Sequence, residues 1–423
     1  MTRFYASEFS RFIHTLAMVM QAGRWDVEPL VFRIRGAIQD PALRDPSEQK
    51  WIRSVVDQVC EEFPGFTPPV HWRLSQSLLA NPWLWRNLRL FLREHSFPEL
   101  LVPAPQMVPV ASLFTQIDLP QLRSPGAVAE WLGITVPELE WFADCRGWER
   151  TRSTPRLRHY HYRWLQKSSG RVRLIEIPKT RQRLLQRRIH AELLSLIPPH
   201  EAAHGFRQGR SIVTALNPHV GRRVVLHMDI KEFFPSLESR RVNALFRTVG
   251  YPEEVARVLT GLCTNSVPRP VLDKKLRFDQ PSHRSQIGRY GRPHLPQGAP
   301  TSPALANLLA RRLDARLSGL AAACNARYTR YADDLIFSGD GSFPQCLRRF
   351  RIEVCSILLQ EGFQIQARKT RVMFSGQRQQ VAGLVLNDRL NTTRESFDEL
   401  RALLHNCRRF GPDSQNSHGH ADF

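Results

Sequence analysis

The sequence predicts an α+β protein with a helical N-terminal extension, on three observations. Apolar residues recur at mixed three- and four-residue spacing through the first hundred positions (Phe12, Leu16, Val19 and Met20; later Leu84, Leu88 and Phe91). A Pro-rich stretch, PELLVPAPQMVP, then interrupts that pattern as a linker would. From residue 156 onward, short β-branched runs alternate with helical patterns, as in a mixed domain.

In order along the chain, residues 1–105 form the helical extension and 106–155 a linker with a helical hairpin. Within the latter, SPGAVAEWLGITVPELEWFAD places two short amphipathic helices around a Gly-Ile-Thr turn. The pattern resembles a helix-turn-helix, but it is short and common, and a plain hairpin packed on the next domain is the preferred reading. The mixed domain covers 156–390. Its expected strands are Val172–Ile177, Val224–Ile230, Leu335–Ser338 and Val381–Leu386, and its expected helices include Ser302–Ser318 and Leu347–Glu361.

Charge narrows the function. Sixty Lys and Arg against 39 Asp and Glu give a formal charge of +21 and a pI near 10.6. Such an excess repels itself unless a polyanion is near, so a nucleic acid or an anionic membrane is the natural partner; a generally Arg-rich composition is the plainer reading. No stretch approaches the roughly 18 uncharged apolar residues of a membrane span. The N-terminus has polar and acidic residues inside its apolar part and no small-residue cleavage site. Seven cysteines without CxxC spacing argue against a disulfide framework and a zinc site. These features together lead to the expectation of a cytoplasmic protein with no membrane partner.

The carboxylates are more specific. Tyr331-Ala332-Asp333-Asp334 sits between two β-prone runs, at or beside a hairpin turn. Adjacent carboxylates repel and raise each other's pKa unless a cation neutralises them, although a lone Asp-Asp is usually turn chemistry. Asp229, ending the apolar run Val224–Met228, changes that reading, because an acid on a buried strand is costly unless paired or metal-bound. If the two segments are neighbours, Asp229 and Asp333 converge with Asp334 nearby. Such hard oxygen ligands suit Mg²⁺ or Mn²⁺, and two ions would serve an in-line phosphoryl transfer.

With these blocks in view, residues 156 to about 390 resemble a bacterial reverse transcriptase, most closely of the retron type. The resemblance rests on ordered blocks: Lys167–Pro178, His204–Ile212, His227–Phe234, Pro296–Asn307, the YxDD box Tyr331–Asp334, Gly362–Thr370 and Val381–Gly383. It implies a right-hand polymerase with fingers and palm, a partial helical thumb from 391 to 423, and an RNA-directed DNA polymerase activity. An intron-like or abortive-infection-like reverse transcriptase, or a catalytically weak RNA-binding protein on the same fold, stays open as the alternative. It implies Asp229, Asp333 and Asp334 as catalytic metal ligands for two Mg²⁺ ions. It places Lys167, Arg173, Phe234, Gln297 and Lys369 around the dNTP, with Phe234 excluding a ribose 2′-OH and Lys369 protonating pyrophosphate. For Phe234 a core role beside Phe233 stays open, as does a turn-capping role for Gln297 and a solvated basic face for Lys167 and Arg173.

The retron assignment draws on Thr214–His219 and Val381-Ala382-Gly383, which imply RNA or primer contacts at His219 and Gly383. Here Ala215-Leu216 stands where an Asn-Ala pair is usual, and Ala382 where Thr is usual. The implied partners are a structured noncoding RNA serving as template and primer, its cDNA product, dNTPs and an effector protein acting in phage defence. Residues 391–410 look like a first thumb helix, so the thumb is expected to be short or cut. His418 and His420 near the terminus are expected to be solvated rather than metal-bound.

Overall fold

In a computed structural model, residues 3–39, 50–65, 67–93, 96–110, 112–151, 154–166, 172–278 and 288–415 are described. They divide into two compact units, each built from two chain segments: 1–197 with 237–305, and 198–236 with 306–423. This differs from the consecutive segments expected from sequence, because backbone pairing joins stretches that are distant in the chain.

In the first unit, the predicted N-terminal periodicity becomes five helices, Arg3–Gln21, Val27–Ala37, Lys50–Glu62, His71–Ala80 and Pro82–Phe91. Leu16, Met20, Trp25, Leu30, Ile34, Val56, Leu78 and Leu84 form their core. Asn81 separates the last two helices; its side chain accepts the Leu84 N–H at 2.9 Å, and Pro82 follows at the position where a missing N–H costs nothing. The Pro-rich stretch is a fastened strap rather than a free linker. Leu101 N–H donates to Ala37 O, Gln106 N–H to Ala22 O, and Val108 N–H to Gly250 O at 2.9 Å. Gly250 (φ 117°) has to be glycine there, since a Cβ would come within 2.6 Å of Pro109 N.

Residues Pro125–Leu132 and Val136–Ala143 form the helical hairpin, and a Thr135–Glu138 capping box starts its second helix. The hairpin packs on helix Glu253–Cys263 so closely that a Cβ on Gly261 would lie 2.0 Å from Ala143 O. This is the packed hairpin, not a free DNA-reading element.

The first unit also holds an antiparallel hairpin of β1 (Tyr160–Gln166) and β2 (Val172–Pro178). Nearby, burial pushes the Glu149 carboxyl up to about 7, although the His159 N–H and the Tyr162 hydroxyl donate to it. A raised carboxyl pKa favours the folded state below the ordinary value and loses that advantage as pH rises through the folded one. Glu149→Gln is therefore expected to raise the unfolding free energy at pH 8, by on the order of 3 kcal/mol at most, and to do little at pH 4. An equal effect at both pH values would refute it.

The second unit is organised by an antiparallel sheet in the order β4-β5-β3-β6, with β3 Val224–Asp229, β4 Ala326–Tyr331, β5 Asp334–Gly339 and β6 Arg371–Phe374. Val224, Val225, Leu226 and Met228 of β3 are buried, as an interior strand requires. Helix Phe343–Gln360 starts four residues before the expected Leu347. The expected helix Ser302–Ser318 is two helices, Ser302–Leu309 and Arg311–Ala323; Ala310 leaves the helical path (φ −84°, ψ −1°) without a Gly or Pro to signal it. The expected strand Val381–Leu386 is instead a tiny hairpin, β7 Gln380–Val381 and β8 Leu384–Val385, turning through Ala382 (φ 49°) and Gly383 (φ 85°). Both turn residues are left-handed, the arrangement that suits a two-residue hairpin loop. β9 (Asn391–Thr392) completes that small sheet and leads into helix Arg394–Phe410, where the thumb helix was expected. All seven cysteines are free thiols, and no helix of the described residues is long and apolar enough to cross a membrane.

Candidate active site

The three aspartates meet at one end of the four-stranded sheet. Asp229 ends β3 and Asp334 opens β5, and they are directly opposed in the antiparallel register. Asp333 lies in the tight turn between β4 and β5, and its carbonyl accepts the Ile230 N–H at 2.8 Å, tying the turn to the end of β3. Burial raises the Asp333 pKa, and the charges of Asp334 and Asp229 raise it further.

Two side chains answer this crowding. The Lys369 ammonium contacts Asp229 Oδ2, and His227 Nε2 lies 2.7 Å from Asp334 Oδ1. Partial burial lowers the Lys369 pKa, but the bond and charge of Asp229 outweigh it, so the net shift is upward. The ammonium thus holds its proton more firmly than an ordinary lysine, which makes it a weaker acid than the expected role asks for. His227 was not anticipated. Its signal was present, since two residues before Asp229 on a strand puts both side chains on one face.

The donor set fits a divalent ion: hard carboxylate oxygens under mutual repulsion, with a lysine ammonium already serving as counterion. Among the described residues no three acids, imidazoles or thiols already converge as a finished chelate. Asp229 and Asp334 are meanwhile held by Lys369 and His227.

Beneath the turn lies a buried support that sequence reading missed. Ala332 takes φ 56°, a left-handed conformation costing roughly 1–2 kcal/mol for an L-residue. Arg330, fully buried, donates to the Ala332 carbonyl at 3.1 Å and grips both carboxylate oxygens of Asp314 at 2.8 and 2.7 Å. Its guanidinium also lies 5.6 Å from the Phe233 ring centroid. From the other side, Gly205 approaches so closely that a Cβ would sit 2.7 Å from Ala332 N.

The remaining expected residues divide. Phe234 is half-buried, with its ring 6.1 Å from Phe206 and 5.7 Å from Phe233; Phe233 is the core member of the pair. His219, expected at RNA, is instead wholly interior, 2.6 Å from Ser338 Oγ and 2.8 Å from Thr329 Oγ1. Burial drives its pKa down to about 3, so it is a neutral clasp joining β4 and β5, with no surface for RNA. Gly383 lies at the tip of the β7–β8 turn, where a Cβ would meet nothing within 4 Å.

Arg173 and Gln297 belong to the first unit. Arg173 is half-buried on β2, while the Gln297 carbonyl accepts the Glu176 N–H of that strand at 2.9 Å. Gly298 (φ 128°) permits this docking, because a Cβ would come 2.8 Å from Glu176 O. Glu176 is itself fully buried and receives Asn265 and His294, another network absent from the sequence reading. Lys167, His418 and His420 lie outside the described residues.

Residues 165–398 match the family described as reverse transcriptase (RNA-dependent DNA polymerase). The chain is 42% identical to the retron Mx65 reverse transcriptase of Myxococcus xanthus, over 71% of this chain and 66% of that protein. It is 37% identical to the retron Mx162 enzyme of the same organism, over 70% and 61% of the respective lengths. Identity to the retron Ec86 enzyme of Escherichia coli is 32%, over 56% and 65%. The chain thus spans a little under two thirds of the length of these relatives.

Proposed function

The chain belongs to the reverse transcriptase family, with retron enzymes among its relatives, and on that premise we propose that it is an RNA-directed DNA polymerase acting through Asp229, Asp333 and Asp334. The observation that carries the reading is the meeting of three aspartates at one end of the sheet, under repulsion that lifts the Asp333 pKa. Two divalent ions, when bound, would supply Lewis-acid charge to the attacking hydroxyl and the leaving pyrophosphate. Asp229 and Asp333 would hold them, and Asp334, kept in place by His227, would complete the acidic edge. Lys369, released from Asp229, would carry a proton beside the leaving phosphates. Phe234 would pack against the sugar of the incoming nucleotide and disfavour a 2′-hydroxyl. In the first unit, Arg173 would meet triphosphate charge and the Gln297 loop would face the nucleotide.

The template and primer would be a structured noncoding RNA, the product a branched RNA-linked DNA, and the setting phage defence with an effector protein. The retron relatives and the +21 charge support an RNA partner. The test is Mg²⁺-dependent dNTP incorporation on primed RNA, together with sequencing of copurifying nucleic acid. Incorporation and one defined RNA joined covalently to DNA are expected; no incorporation even on RNA from the native locus would sink the reading.

Protons and divalent ions would compete at Asp333. Its raised pKa brings protonation in at a higher pH than for an ordinary carboxylate. The Mg²⁺ concentration giving half-maximal incorporation should accordingly rise as pH falls, beginning above the usual aspartate range. A Mg²⁺ requirement that begins to rise only within the ordinary aspartate range would contradict it.

A further inference from the structure

The N-terminal helices carry a surface that the polymerase reading leaves unused. Residues 71–93 contain four arginines and three tryptophans but no Asp or Glu. Leu74, Leu78, Leu84 and Leu88 turn into the core, and Trp85 goes with them, stacked on Phe9 at 3.8 Å with its N–H donated to Leu79 O. The other two indoles face outward: Trp72 is 58% and Trp83 51% exposed. Each shares its helix face with an exposed leucine seven positions on, Leu79 and Leu90. Arg73 lies 5.5 Å from the Trp72 ring centroid, and Arg86, Arg89 and Arg93 are exposed. None of these four arginines has an ion pair among the described residues. Two acids from elsewhere in this unit touch the segment: Glu253 accepts the His71 N–H at 2.9 Å at the start of the first helix, and Glu62 accepts the Ser77 hydroxyl.

Packing does not call for two exposed indoles, and ion pairing does not account for the arginines. Flat aromatic faces beside cations, with anions left out, is the chemistry that binds an unpaired nucleic-acid strand: bases stack on the rings and phosphates meet the guanidinium groups. We infer that the outer faces of helices His71–Ala80 and Pro82–Phe91 bind single-stranded RNA, with Trp72 and Trp83 as stacking platforms. The inference shares with the proposed function only the nucleic-acid partner; its readout requires no catalysis.

The test is binding of a labelled, unstructured oligouridine by the full chain in EDTA, followed by tryptophan fluorescence and by anisotropy across a salt series. Wild type should bind with quenching, and Trp72→Ala/Trp83→Ala should bind about tenfold or more weakly with most of the quenching gone. Arg86→Ser/Arg89→Ser should lower the salt slope by about 1.4, the share of two phosphate contacts on a single strand. All four positions are exposed, and circular dichroism with thermal melting would verify that the variants are folded. Wild-type affinity, quenching and salt slope in both variants would overturn the inference, as would retained RNA binding alongside loss of an acidic protein partner. If incorporation fails in every protein while the tryptophan variant still loses RNA, the polymerase reading falls and this one stands.

Discussion

Asp333→Asn is expected to cut Mg²⁺-dependent dNTP incorporation by about a thousandfold or more, because a lost metal ligand removes several kcal/mol of transition-state charge stabilisation. The same substitution should not lower the melting temperature in EDTA. The folded state holds the Asp333 pKa above its ordinary value, so it already disfavours the charge that asparagine removes. That separation of effects marks a functional group as opposed to a structural one. Asp334→Asn should lose comparable activity but also weaken its contact with His227, at some cost in stability. Full activity in both variants would mean that the catalytic edge lies elsewhere.

The second large effect is on stability. Arg330 and Asp314 are both fully buried and joined by two hydrogen bonds. Arg330→Met is expected to cost about 3–5 kcal/mol in denaturant unfolding, since it strands the Asp314 carboxylate in the interior. Arg330→Met/Asp314→Leu should recover part of that loss, because the uncompensated charge is gone while the Tyr328 hydroxyl and Asn307 Oδ1 still lose their partners. The double variant should nonetheless remain poorly active, as the Ala332 carbonyl would lose its Arg330 donor and the left-handed turn bearing Asp333 would keep only its tie to Ile230. A loss under 1 kcal/mol in the single variant would show that the pair does not support the turn.

These two cases show what the sequence could disclose. Asp229 was legible because an acid closing an apolar strand contradicts its surroundings, and Asp333-Asp334 because two carboxylates in a turn need a reason. The N-terminal helices were legible through their apolar spacing. Arg330 and Asp314 were not, since in a chain with sixty basic residues neither type stands out and their pairing depends on tertiary placement. His219 misled for the opposite reason: a polar residue at a motif position suggests exposure, yet two hydroxyls satisfy it inside the sheet. Gly205 and Gly298 carry no local pattern that announces their role, since each is required by another backbone passing at close range. Val381–Leu386 looked like one strand because the left-handed turn inside it begins with an alanine.

The sheet order also sets a timetable. β3, which carries Asp229, lies between β5 and β6, and β5 begins only at residue 334. At synthesis rates of about 5–20 residues per second, Val224–Asp229 leaves the ribosome several seconds before any partner strand exists. A half-made chain therefore presents an apolar, unpaired strand that is prone to aggregate, and the four-stranded sheet can close only late in synthesis. Slower initiation and a lower growth temperature should improve the yield of folded protein more than any change to its finished surface.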